Sequence, residues 1–199
     1  VLTQLSILMS PYAPHITEEI WSKLKEDDSS IFDQTYPVFE EQYLKESDFE
    51  ALFAVASDPL IWEQHPNKNR YKREVFETFF KGAMESKGAF LVTAIATGKV
   101  IGSSRYYDFD EEHNSIAVGY TFIGRDYWGN GYNKALKQLM FDYAFEFVDK
   151  IILHIGATNY RSQKAIEKLG AKKIDEIEVA YYGEPAKTNF VYQVKSKRG

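Results

Sequence analysis

Cysteine is absent from the 199 residues. That excludes a disulfide scaffold, a Cys-ligated zinc site, iron–sulfur clusters and thiol catalysis. Long apolar runs are also missing: the longest, Ala89 to Ala96 with Thr93 inside it, is far too short to span a bilayer. The first residues, VLTQLSILMSPYAP, lack a basic n-region and an A-x-A site, so no signal peptide is expected. Arginine is missing from the first fifty residues, which hold three Lys against eleven Asp and Glu, a net −8. The remaining 149 residues carry twenty-one basic and eighteen acidic side chains, a net +3. The asymmetry predicts two segments of different origin. The acidic one is a poor phosphate binder, because nucleic-acid affinity rests on Lys and Arg.

What is present divides in the same way. Leu2, Leu5, Leu8 and Met9 share a helical face, and Thr17 can cap a second helix through Ile20, Trp21 and Leu24. Val38 to Leu44 reads as an edge strand, with Glu40 and Glu41 breaking its alternation. Ser47 and Glu50 suit a capping box, ahead of a helix with Phe49, Leu52, Phe53 and Ala56 on one face. A second helix carries Val75, Phe76, Phe79, Phe80 and Met84. Strands follow at Ala89–Ala96, Val100–Tyr107 and Ile116–Ile123, with an acidic loop, Asp108 to Asn114, between the last two. A helix over 133–148 is expected to bury Leu136, Leu139, Met140, Tyr143, Ala144 and Phe147. Ile151–Ile155 reads as a strand buried on both faces, Asn159–Leu169 as a helix stopped by Gly170, and Ile174–Tyr182 and Asn189–Lys195 as closing strands. The fold class is α+β: a mixed, mostly antiparallel sheet flanked by helices, with a short N-terminal helical appendage.

The chemistry concentrates where a strand ends, a loop turns and a helix begins: Gly119-Tyr-Thr-Phe-Ile-Gly-Arg-Asp-Tyr-Trp-Gly-Asn-Gly-Tyr-Asn-Lys-Ala-Leu. Gly129 and Gly131 permit close approach, and a helix N-terminus offers unpaired N–H groups and about half a positive charge to a pyrophosphate. Downstream lies Asn159-Tyr-Arg-Ser-Gln-Lys-Ala-Ile-Glu-Lys-Leu-Gly-Ala. Together the two stretches resemble the GNAT superfamily of acyl-CoA N-acyltransferases over roughly 44–199, and W-G-x-G-Y resembles its Rim-like N-terminal acetyltransferase branch.

The resemblance implies acetyl-CoA as acetyl donor, no metal, and a primary amine as acceptor, by direct transfer in a ternary complex. It implies that Trp128, Gly129, Asn130, Gly131, Tyr132, Asn133 and Lys134 form the pyrophosphate loop, Trp128 and Asn133 departing from the superfamily's consensus. Phe122 and Ile123 would pair with the pantetheine amides, and Asn159 would bond the same arm. Many relatives supply an acid from a Tyr on the following helix. That position reads as Ile166, which leaves Ser162 as proton donor to the departing thiolate or as the helix cap. The Glu many relatives use as base is replaced by Ala117; Asp108, Asp110, Glu111, Glu112 and His113 read as a solvated loop. Trp62, His65 and Tyr182 are candidates for the acceptor wall.

The leading segment, LSILMSPYAPHITEEIWSKL followed by SSIFDQTYPVFEEQYLKES, resembles the end of the anticodon-binding domain of bacterial leucyl-tRNA synthetases over roughly 1–47. Synthetase activity is not implied: His154-Ile155-Gly156-Ala157 imitates a HIGH motif at the wrong end of the chain, and KMSKS is missing. The expected division is 1–37 as a synthetase-like helical fragment and 38–199 as the acetyltransferase domain. A catalytically weak acyl-CoA-binding regulatory module and a tRNA-associated protein acting through 1–47 are the alternative functions. A cytoplasmic location is expected, with no membrane or nucleic-acid partner; the aromatic content of 16% suits a homodimer.

Overall fold

The computed structural model describes residues 44–94, 97–180 and 186–196. The chain divides into two units, Val1–Glu41 and Gln42–Gly199, and the second holds every described residue. The expected helical appendage, the expected boundary at residue 37 and Val38 to Tyr43 of the expected edge strand lie outside the described residues. Leu44, the last residue of that strand, is buried, and its amide donates to Ala89 O at 3.3 Å.

A short 3-10 turn, Glu46–Asp48, leads into α1 (Phe49–Ala56). The N-cap of α1 is Asp48 rather than the expected Ser47; its carboxylate caps no amide of α1 and instead accepts from the Lys45 amide at 2.8 Å, ahead of the 3-10 turn. A loop then leads to α2 (Arg73–Glu85). The sheet follows as β1 (Ala89–Thr93), β2 (Val100–Asp110) and β3 (Ser115–Ile123). Next come α3 (Tyr132–Ala144), β4 (Lys150–Gly156), α4 (Tyr160–Glu167), β5 (Lys172–Val179) and β6 (Lys187–Lys195). The sheet order is β1-β2-β3-β4-β6-β5, with β3 and β4 parallel and every other pair antiparallel. That is the mixed, mostly antiparallel α+β sheet expected. Among the described residues no helix is long and apolar enough to cross a membrane.

Two departures from regularity shape the sheet. Ser103 pairs with Phe122 and Arg105 with Gly119, so Tyr120 and Thr121 together oppose Ser104. This is a β-bulge, with Tyr120 held at φ +52°. The left-handed conformation is costly for a side chain of this size. It is braced by the Arg105 guanidinium, 4.2 Å from the ring centre, and by the Tyr107 ring at 4.9 Å. Strand β3 leaves its parallel neighbour just before the bulge. The β3–β4 register runs only from Ser115 opposite Lys150 to Ala117 opposite Ile152. The seam therefore opens from Val118 onward.

One core lies among α3, α4 and the central strands, and includes Val118, Met140, Phe141, Ile151, Leu153, Ile166 and Tyr192. A second, aromatic core joins α1 and α2 to the sheet through Leu52, Trp62, Phe76, Phe80 and Phe122. Helix α3 corrects the expected buried face. Its buried residues are Lys137, Met140, Phe141 and Ala144, whereas Leu139, Tyr143 and Phe147 are exposed. The helix is turned so that Lys137, rather than Leu139, meets the Thr121 hydroxyl on the sheet. Strand β4 is also more one-sided than expected: Ile151, Leu153 and Ile155 are buried while Ile152 and His154 are half-buried.

Candidate active site

The open seam between β3 and β4 leads into a cavity of about 410 Å³. Phe122 and Ile123 of β3 form one wall; Trp128, Gly129, Gly131, Tyr132, Asn133 and Lys134 form the loop side, and Asn159 and Ser162 the α4 side. Trp62 and His65 close the end nearest α1. All the candidate residues thus meet at one cavity except Asn130, which belongs to the loop without lining it, and Tyr182, which lies outside the described residues.

The loop has the form an anion site requires. Gly129 and Gly131 adopt φ +77° and +82°, and a Cβ added to either would enter open space. Among the described residues, the amides of Gly129 through Lys134 have no acceptor; the first amide engaged is Ala135 N, which donates to Gly131 O at 2.9 Å. Six consecutive N–H groups and the α3 dipole are thereby left for a negatively charged group. The loop is held by the Tyr127–Tyr132 edge contact at 5.1 Å and by Trp128, whose indole N–H donates to Ile123 O at 2.8 Å. That bond occupies part of a carbonyl expected to face the pantetheine, so on this side Trp128 anchors the strand to the loop.

Across the cavity, Asn159 is the N-cap of α4: its Oδ1 accepts from Ser162 N at 3.2 Å. The cap is therefore Asn159, not Ser162. The Ser162 hydroxyl has no partner among the described residues and lines the cavity. Gln163 ties the turn together, its Nε2 donating to Gly156 O and Ala157 O, both at 3.0 Å. Arg161 bridges the two sides. Its guanidinium lies 3.9 Å from the Trp128 ring centre and donates to Ile61 O at 3.1 Å. Ile166 points into the core, and the face of α4 and its C-terminal end toward the cavity carries Ser162, Ala165, Lys168 and Leu169. No Tyr is offered there.

Trp62 and His65 line the cavity but are also tied into the fold. The Trp62 indole donates to Ala56 O at 2.7 Å, and the His65 Nε2 lies 3.3 Å from Arg70 Nη1. A guanidinium only donates, so the imidazole accepts and is neutral. Burial, followed by the Arg70 charge, holds His65 well below its ordinary range. None of Asp108–His113 lines the cavity; His113 pairs with Asp110 at 2.8 Å. Ala117 is buried, so no carboxylate stands where relatives use a Glu.

Sequence reasoning missed Thr121, Arg161 and Lys168, all of which line the cavity, and Lys137 behind them. Lys137 had a visible signal: it stands three, four and seven residues before Met140, Phe141 and Ala144, on one helical face.

The model of the acetyltransferase (GNAT) domain family matches residues 42–172, about two thirds of the chain. The model of the anticodon-binding domain of tRNA ligase matches residues 1–61, and its end overlaps α1, whose Leu52 and Ala56 are buried in the second unit. Residues of the leading segment are 51% identical over 47 positions to leucine–tRNA ligase of Christiangramia forsetii, 24% of this chain and 5% of that protein's length. Among solved structures, a GNAT-family acetyltransferase from Bacillus anthracis superposes with a TM-score of 0.63 at 20% identity, covering 77% of this chain and 92% of that one. A ribosomal-protein-alanine N-acetyltransferase from Brucella melitensis gives 0.57 at 18% identity, covering 78% and 98%.

Proposed function

The chain belongs to the GNAT acetyltransferase family, and from that premise we propose that it moves an acetyl group from acetyl-CoA to a primary amine, on a protein N-terminus or a small molecule, by direct transfer in a ternary complex. The observation that carries this reading is the run of six unengaged amides, Gly129 to Lys134, in a loop that, Asn130 apart, lines the same cavity as Asn159 and Ser162. The donor set fits the group: amides, two left-handed glycines and the Lys134, Arg161 and Lys168 cations suit phosphates. Acetyl-CoA supplies an activated acyl group on a thiol that leaves.

The residues of this chain then have separate tasks. Gly129 to Lys134 bind the pyrophosphate. The open edge of Val118–Ile123 holds the pantetheine amides as a neighbouring strand would. Ser162, free of capping duty, gives a proton to the leaving sulfur. The described lining residues include no carboxylate, so a polycationic acceptor finds no counter-charge there. A monoamine suits the cavity better, and the Brucella melitensis neighbour named for ribosomal-protein alanine supports a peptide N-terminus among the acceptors to be tried first.

The missing Glu at Ala117 and the missing Tyr on α4 support the second reading, an acyl-CoA-binding module with little turnover. Calorimetry with acetyl-CoA and thiol release over an amine panel separate the two. Binding with acceptor-dependent thiol release is expected; binding without release on any amine favours the module. Gly131→Val places a branched side chain in the phosphate volume at a strained φ, and should lower acetyl-CoA affinity at least about tenfold, or about 1.4 kcal/mol. A folded Gly131→Val protein with unchanged affinity would remove the site assignment.

A further inference from the structure

Lys137 is buried, with 4% of its surface exposed, on the inner face of α3. Its side chain's one hydrogen bond among the described residues goes from Nζ to Thr121 Oγ1 at 2.5 Å. No carboxylate lies within ion-pairing distance of it among those residues. The elements packed around it supply no charge. Strand β2 presents Ser104, whose hydroxyl is 2.7 Å from Thr121 Oγ1, and Tyr106, whose hydroxyl donates to Met140 O at 2.7 Å. Strand β3 presents Thr121, and the apolar cluster between the sheet and α3 holds Val118, Ile151, Leu153, Ile155 and Ile166. A buried ammonium with one hydroxyl acceptor and no anion is poorly solvated. A neutral amine in the same place is satisfied, because it can accept the Thr121 proton.

Thr121 is not buried with it. It sits on the bulge, in the part of β3 that no longer pairs with β4, and lines the cavity. Thr121 thus lines the cavity while its hydroxyl lies against the buried amine. We propose that Lys137 takes up, through the Thr121 hydroxyl, a proton shed by the acceptor amine during transfer. This rests on the acetyltransferase reading above. The balance is complete. An acceptor ammonium sheds two protons as its N–C bond forms and the donor's C–S bond breaks. One leaves on the thiol sulfur; the other passes to Thr121 while the Thr121 proton passes to Lys137 Nζ, and bulk water later recovers it. The site lacks a carboxylate base, and this pair fills that role without one. Burial holds the Lys137 amine down to about 7, which leaves it able to accept at neutral pH. Lys137 acts on the substrate only through Thr121, and so is a positioning residue in the proton path.

The test is a pH titration of the intact protein labelled with ¹³C at lysine Cε, with and without acetyl-CoA. The signal missing from Lys137→Met should titrate several units below the other lysines; titration together with them would overturn the proposal whatever the activity. Calorimetry on the same samples separates the two claims. Absence of acetyl-CoA binding by the wild type would strike the acetyltransferase reading and the relay with it. Binding beside an ordinary Lys137 would strike the relay alone. In thiol-release assays with an N-terminal alanyl peptide and the wider amine panel, Lys137→Met and Thr121→Val should each slow turnover about 10²-fold. The double variant should be no slower than either, acetyl-CoA affinity should be unchanged, and Thr121→Ser should recover most of the rate. Both substitutions keep shape and apolar packing, so folding should persist. Retention of the wild-type rate and pH profile in either single variant would overturn the relay.

Discussion

Ser162 and Asn159 stand three residues apart and do different things. Because Asn159 caps α4, Ser162→Ala should leave the stability within about 0.5 kcal/mol of wild type, as expected where no cap is lost. It should slow thiol release by about 10²-fold at unchanged acetyl-CoA affinity, read by calorimetry and a thiol assay. Normal turnover would remove the proton-donor role. His65 and Lys137 also set how stability depends on pH. Both are bases held below their ordinary values by burial, so the unfolded chain binds more protons than the folded one between the two values. Their contribution is therefore lost as pH falls, for Lys137 through the window from 10.5 down to about 7 and for His65 below 6.5. Scanning calorimetry should show Tm rising from pH 6 to 9, with Lys137→Met flattening the upper part of that rise. A Tm that falls across this range in both proteins would contradict the buried, neutral Lys137. The loop glycines were legible in the sequence because a left-handed turn is a local demand. The place of Lys137 on the buried face was legible in its spacing, but its solvation was not, because that depends on Thr121, which reaches it only across the fold.

At the level of elements, the helices and strands followed periodicity closely, while their orientation did not. The apolar stripe Leu139-Tyr143-Phe147 reads as a buried face, yet the packing turns it outward and seats Met140, Phe141 and Ala144 instead. Pattern alone places a helix; the sheet's side chains choose its rotation. The bulge was likewise invisible, since Ile116–Ile123 reads as an uninterrupted strand and the extra residue exists only relative to β2. The divergence it accompanies makes a measurable difference between the two edges of β3. Amides of Val118–Ile123 that face the open seam should exchange rapidly in the free protein and slow on addition of acetyl-CoA, whereas those bonded to β2 should change little. Hydrogen exchange resolved by residue or short peptide checks this. Equal protection along both edges without acetyl-CoA would mean that the seam is closed in solution.

On the scale of the whole chain, the units separate after Glu41, while the charge asymmetry and the two resemblances read the sequence as two parts of different origin. Composition could say that the parts differ, but not which residues the second unit needs. Leu44 is buried and bonded to Ala89, and Lys45 is held by Asp48. Deletion of residues 1–36 should therefore leave a folded acetyl-CoA binder, while deletion of 1–46 should lower Tm and weaken binding, as followed by scanning calorimetry and titration. Equal Tm in both truncations would show that Leu44 and its neighbours are dispensable.

The incomplete parallel seam has a thermodynamic consequence for the molecule as a whole. A sheet that stops pairing after Ala117 has one unfilled place, and a ligand that fills it acts as a strand supplied from solution. Its contribution to folding is then not fixed by the chain but set by mass action, growing with the logarithm of ligand concentration and reaching about 2.7 kcal/mol at a hundredfold excess over Kd. The lifetime of the folded protein would thus follow the supply of acetyl-CoA, so that a fall in acyl donor both slows the reaction and shortens the survival of the protein that performs it.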